Sequence, residues 1–162
     1  PTLLEWFPNS RVIHTFRDPR GIFASESRRR KKLPRTFPYK QLQQSGPLFT
    51  LYILLQVTYT WLRAVRQHFE YQTLYPGRYY LLKFEDVVTD PENSIKELCT
   101  YLGVDFQDAM LEQRVVSRGF RQGQAGFDQR AAERWKEINP PWVNTWFLFL
   151  GRKHLQKLGY AG

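Results

Sequence analysis

The chain has 162 residues, 42% of them hydrophobic, and a formal net charge of +9. Those values fit one folded domain with a real core and exclude a disordered tail. A single cysteine, Cys99, excludes an internal disulfide and a Cys-rich metal site, and His14, His68 and His154 are scattered without metal-ligand spacing.

The positive excess favours phosphates, sulfates, nucleic acid or an anionic membrane as partners, without choosing among them. The longest uncharged run, Gln41 to Leu62, is interrupted by Gln, Ser, Gly, Pro, Thr and Tyr and does not read as a membrane span. No signal peptide opens the chain. It starts at Pro1 and its sole methionine is Met110, so it is expected to be a piece of something longer.

Ser10 to Phe16, SRVIHTF, has the β-branched and apolar content of a short buried strand. Asp18 then reads as an N-cap and Pro19 as a first helical residue, which predicts a helix from Pro19 to about Lys32. Pro34 and Pro38 should end it, and Leu33 to Pro47 reads as an exposed connection. Leu48 to about Tyr71 predicts a long, mostly buried helix with Trp61, Leu62, Val65 and Phe69 in register.

After a turn at Pro76-Gly77, RYYLLKF (Arg78 to Phe84) predicts a second buried strand. Asp90-Pro91 repeats the capping device for a helix that ends at Gly103, with Ile95, Leu98, Cys99 and Leu102 on one face and Cys99 an inert buried thiol. Ser117 to Phe127 is a glycine-rich loop. A helix near Gln129 to Ile138 carries Trp135. A last helix, starting at Asn139 or Pro140, places Trp142, Val143, Trp146, Phe147, Leu150, Leu155 and Leu158 on one face. Two strands, each followed by a helix, predict a parallel α/β sheet that two strands do not complete, so further strands are expected upstream of Pro1.

Arg17 stands at the end of a strand and just before a helix cap. A helix N-terminus offers N–H groups and partial positive charge, and Arg17 adds a planar fork of donors. Ser25 lies seven residues after Asp18 and faces the same way, so the hydroxyl and guanidinium could share one anion. The plainer alternative is a simple cap, with Arg17 paired to a surface carboxylate and Ser25 solvated. Downstream, Arg121, Gly123 and Gly126 form R-x-G-x-x-G, a loop suited to backbone approach to an anion.

NSRVIHTFRDPRGIFAS, RYYLLKFEDVVTDPENSIKELCTYLGV, RQGQAG, ERWKEI and HLQKLGY, in that order, resemble the sulfotransferases, closest to their carbohydrate and bacterial branches. The resemblance implies a P-loop-NTPase-like parallel sheet with flanking helices, incomplete here, and a single partial domain over residues 1–162. It implies 3′-phosphoadenosine 5′-phosphosulfate (PAPS) as the nucleotide donor, no metal, and a hydroxyl or amine acceptor, an acidic glycan among the candidates. Arg17 and Ser25 match the pair that holds the donor's 3′-phosphate. Arg121, Gln122 and Gly123 match the loop that closes on it, with Gln122 in place of the usual lysine. Phe84 replaces a tyrosine that touches adenine, and Glu85 and Asp86 read as turn and cap residues.

No counterpart of the 5′-phosphosulfate loop or of the catalytic base is recognisable, so the catalytic residue is unknown and the piece alone is expected to be inactive. His14 reads as a hydrogen-bonded strand residue rather than that base. The basic run Arg28 to Lys32, within SRRRKKLPR, is either a solvated helix end or a surface for an acidic acceptor, for nucleic acid or for nuclear targeting. A non-catalytic nucleotide- or glycan-binding module and a basic nucleic-acid-binding protein remain alternatives. The expected compartment is the cytoplasm, or the Golgi lumen if an N-terminal anchor precedes the chain.

Overall fold

The computed structural model describes residues 2–31, 39–112 and 126–160. Its elements in chain order are α1 (Thr2–Trp6), β1 (Val12–Phe16), α2 (Pro19–Lys31), α3 (Tyr39–Gln44), α4 (Gly46–Leu74), β2 (Tyr79–Lys83), α5 (Phe84–Thr89), α6 (Pro91–Leu102), α7 (Trp135–Ile138) and α8 (Pro141–Lys157). The chain falls into two compact units: Pro1–Phe16 with His68–Ala132, and Arg17–Gln67 with Glu133–Gly162.

In the first unit β1 and β2 pair in parallel, Val12 opposite Tyr79 through Phe16 opposite Lys83. A parallel pair cannot be closed by a hairpin, and the intervening chain carries α2 to α4. The α/β class read from the sequence is therefore the observed one. The strands are less buried than expected: β1 alternates, with Ile13 and Thr15 exposed, and β2 is half-buried throughout. Among the described residues each strand has a single neighbour and one open edge.

Polar anchors hold this unit's entry segment. Arg78 donates from Nε to the Ser10 carbonyl (3.1 Å) and from a terminal nitrogen to the Leu4 and Phe7 carbonyls, both at 2.9 Å. Tyr101 of α6 stacks on Tyr80 of β2 at 4.9 Å and donates its hydroxyl to the Val12 carbonyl (3.3 Å). Asp90 caps α6, accepting from the Asn93 N–H, and Gly103 ends it in the left-handed region at φ 73°. Cys99 is buried, with its Sγ 3.7 Å from Met110 Sδ.

The second unit is built on Phe23 of α2, Phe49, Ile53, Leu54 and Val57 of α4, and Val143 and Phe147 of α8. Each such burial stabilises by about 1.5–3 kcal/mol. Trp146 Nε1 donates to Thr58 Oγ1 at 3.0 Å. The buried stripe of α8 is Val143, Phe147, Gly151 and Leu155, a strict four-residue spacing. Trp142 and Leu150, expected on that face, are 52% and 42% exposed, because the stripe needs Gly151, whose absent Cβ admits the Trp61 ring.

Other expectations need correction. Leu33 to Pro47 is not wholly a connection: α3 forms at Tyr39, and α4 starts at Gly46 because Pro47 fits the first turn, where no N–H is required. Residues 32–38, with Pro34 and Pro38, lie outside the described residues.

The segment near Gln129 to Ile138 is not one helix but a 3-10 turn, Gln129–Ala131, followed by α7. Asn139 closes α7 rather than opening α8. Phe84 begins α5 instead of ending the strand, with Glu85 and Asp86 in that helix's first turn.

The α4 helix is long and apolar enough to cross a membrane by length and composition alone, as core helices of folded domains can be, with a mean hydropathy of 1.3 over its best window. It is also less buried than expected, with Leu48, Leu51, Leu55 and Tyr59 exposed. Its opposite face supplies the core of the second unit, which is what a packed helix of a folded domain does.

Candidate anion site at the start of α2

Arg17 and Asp18 are the link between the last residue of β1 and the first of α2. Asp18, 3% exposed, does cap the helix: its Oδ1 accepts the Arg20 N–H at 2.8 Å, and its carbonyl accepts the Ile22 N–H at 3.0 Å. It does more than cap. Arg20, 4% exposed, grips the same carboxylate, Nε to Oδ1 at 3.0 Å and a terminal nitrogen to Oδ2 at 2.7 Å. The helix end is therefore already supplied with an internal anion and that anion's counter-charge. An external phosphate would not find an empty helix terminus there, which corrects one half of the sequence argument.

The other half concerns the side of the helix. The Arg17 carbonyl accepts from Trp61 Nε1 at 3.2 Å, which fixes the backbone at the turn. The Arg17 side chain lies across the first turn of α2: a Cβ built on Gly21 would stand 3.0 Å from Arg17 Nε and 3.5 Å from the guanidinium carbon. Ser25 is exposed and sits four residues beyond Gly21 on the same helical face, about 6 Å further along the axis. A guanidinium over one turn and a hydroxyl on the next put a charged and a neutral hydrogen-bond donor on one face of α2.

Arg121, Gln122 and Gly123 lie outside the described residues; Gly126 is described and adopts φ 93°.

The basic end of α2 is partly neutralised within the helix. Glu26 accepts from Arg29 at 2.8 Å and from Arg30 at 2.9 Å. Burial works to raise the Glu26 pKa, but the bonds and charges of the two arginines prevail and lower it. Arg30 also lies over the Tyr52 ring at 5.6 Å.

In the first unit, His14 behaves as a bonded strand residue. Its Nδ1 is 2.5 Å from the Tyr79 hydroxyl, and His68 Nδ1 is 3.0 Å from the same oxygen. Burial lowers the pKa of both imidazoles, and the charge of His14 adds to the effect on His68. Burial, with Tyr71 nearby, raises that of the Tyr79 phenol. Among the described residues no group of three or more His, Cys, Asp or Glu could hold a metal ion.

Two participants escaped the sequence reading. Gly21 is indistinguishable in sequence from any helical glycine, and only the path of Arg17 shows its purpose. Arg20 has no local signal either, because the ring it lies over, Trp135, is 115 positions away.

Comparison with known proteins is specific. A family model described as "Sulfotransferase family" matches residues 1–108, a stretch that contains Arg17 and Ser25 and stops short of Arg121. The chain belongs to the sulfotransferase family.

Two curated proteins, omega-hydroxy-beta-dihydromenaquinone-9 sulfotransferases of Mycobacterium bovis and Mycobacterium tuberculosis, are each 33% identical over 107 residues, covering 65% of this chain. The match spans only 26% of their length. The fold is similar to that of a sulfotransferase domain from the curacin biosynthetic pathway, with a TM-score of 0.65 at 23% identity over 99% of this chain and 59% of that one. A sulfotransferase domain from the Synechococcus PCC 7002 olefin synthase gives 0.56 at 21% identity, over 94% and 50%.

Proposed function

We propose that the cradle formed by Arg17 and Ser25 holds the 3′-phosphate of PAPS, and that this chain supplies the donor-anchoring part of a sulfotransferase. The observation that carries the proposal is the placement of the Arg17 side chain over Gly21, one turn from Ser25. A guanidinium supplies paired, charge-assisted donors to a phosphate, and the hydroxyl adds a further donor. By the resemblance, Gln122 would contribute a neutral donor to the nucleotide where a lysine would contribute charge.

The chemistry follows from the anchor. The 3′-phosphate is remote from the reacting sulfur, so its binding energy orients the sulfuryl group rather than activating it. An acceptor oxygen or nitrogen attacks sulfur in line, the bond from sulfur to the bridging oxygen of the 5′-phosphate breaks, and adenosine 3′,5′-bisphosphate leaves. The acceptor's proton passes to a base that no residue of this chain is assigned to supply.

The curated relatives' name specifies an omega-hydroxy acceptor, and a hydroxyl is the acceptor group proposed here. An acidic glycan is one hydroxyl-bearing class that a chain of net charge +9 would attract. No segment of the 162 residues reads as a 5′-phosphosulfate loop. The chain alone is therefore expected to bind nucleotide without transferring sulfate, which makes a non-catalytic binding module the second reading.

Isothermal titration with adenosine 3′,5′-bisphosphate tests the proposal. A saturable site weakened by Arg17→Ala supports it, and unchanged binding by that variant refutes it. A sulfuryl-transfer assay on a longer sulfotransferase chain containing these residues separates enzyme from binding module.

A further inference from the structure

Arg20 has a role that a surface arginine of a helix cannot have. Asp18 is the chain neighbour of Arg17, and at 3% exposure its carboxylate is beyond the reach of solvent screening. Left uncompensated, it would act against an anion twice, by pairing with the Arg17 guanidinium and by repelling the incoming phosphate. Arg20 occupies both of its oxygens.

Arg20 is itself held from two sides. Its guanidinium lies 4.1 Å from the centroid of Trp135, a stack that fixes the plane of the fork. Its carbonyl accepts from Nδ2 of the buried Asn139 at 3.0 Å. Both supports come from α7 and the residue that ends it, so a four-residue helix has a clear task in this unit.

We propose that Arg20, seated on Trp135, is a positioning residue that holds the Asp18 carboxylate against the N-terminus of α2 and cancels its charge beside the Arg17–Ser25 cradle. The inference rests on the reading of that cradle as a 3′-phosphate site. It assigns Asp18 and Arg20 to the affinity and charge selectivity of the site without contact to the ligand.

The test uses the full 162-residue chain, with adenosine 3′,5′-bisphosphate and adenosine 5′-monophosphate as probes in titration calorimetry. Arg20→Met should weaken the bisphosphate about tenfold and leave the monophosphate unchanged, because a buried unpaired charge acts on the added phosphate. The double variant Asp18→Asn/Arg20→Met should return to within about threefold of the parent, since asparagine still caps the helix but carries no charge. A purely structural role would show no such rescue.

Wild-type affinity in Arg20→Met, or no recovery in the double variant, overturns the proposal while leaving the cradle standing, provided Arg17→Ala still abolishes binding. Absence of saturable bisphosphate binding in the parent, or its indifference to Arg17→Ala, removes the cradle and this proposal with it. If Arg20→Met loses its helical circular dichroism, Trp135→Leu is compared with Trp135→Phe. A several-fold loss in the first and none in the second supports the proposal, and equal affinities overturn it.

Discussion

Arg17 and Gly21 share one space: the arginine's Nε lies 3.0 Å from where a Cβ on the glycine would be. The side chain that the functional proposal depends on therefore has its path set by a residue with no side chain. Gly21→Ala separates fold from function because its two effects have opposite signs. Alanine favours the helix by up to about 1 kcal/mol, so urea unfolding should show equal or slightly higher stability. The displaced guanidinium should weaken adenosine 3′,5′-bisphosphate several-fold. Parent-like nucleotide affinity would show that Arg17 does not need this path.

Ser25→Ala should be a milder change than Arg17→Ala. The hydroxyl supplies a single bond to the phosphate, whereas the guanidinium supplies paired bonds and a full positive charge. Titration should show a loss of a few-fold for the serine variant and near-complete loss for the arginine variant. The reverse order would move the anion away from Arg17.

Gly151→Ala should destabilise the second unit. The added methyl would meet Trp61 Cζ3 at 3.1 Å, and that indole is fixed by its bond to the Arg17 carbonyl. Overpacking of this kind costs about 1–3 kcal/mol and outweighs the helix-propensity gain. The denaturation midpoint should fall.

The His14–Tyr79–His68 cluster sets a pH dependence. Both imidazoles have pKa values below the ordinary histidine value in the folded state, chiefly through burial. The unfolded chain therefore binds protons first as pH falls, and stability must drop with it from just above the ordinary histidine value downward. The contribution is fully present at higher pH. His14→Phe should flatten this slope in a series of unfolding curves, and an unchanged slope would assign it to other groups. Tyr79→Phe should cost about 1 kcal/mol at neutral pH through the lost shared hydroxyl.

What the sequence revealed was local. Asp90-Pro91 and Gly103 bracket α6 because caps and stops act within a few residues, and the same logic placed the start of α2 at Pro19. Two strands each followed by a helix predict the parallel pairing, and the structure adds its register, Val12 to Phe16 against Tyr79 to Lys83. What escaped was set by distant partners. Gly151 gives no local signal of its use, which Trp61 beside it reveals. Arg20 gives none either, because Asp18, Trp135 and Asn139 together define it. Apolar periodicity alone could not tell the covered side of α4 from the side that shows Leu51 and Leu55 to solvent.

Among the described residues the sheet has two strands, so each has one edge, a row of amides and carbonyls, along which no further strand pairs. Such rows are templates for another extended segment, and Ile13, 38% exposed, makes this one sticky as well as hydrogen-bond hungry. In concentrated solution the preparation should therefore self-associate through its sheet. Keeping it dilute, or offering a competing extended peptide, would be the practical way to hold it in single copies.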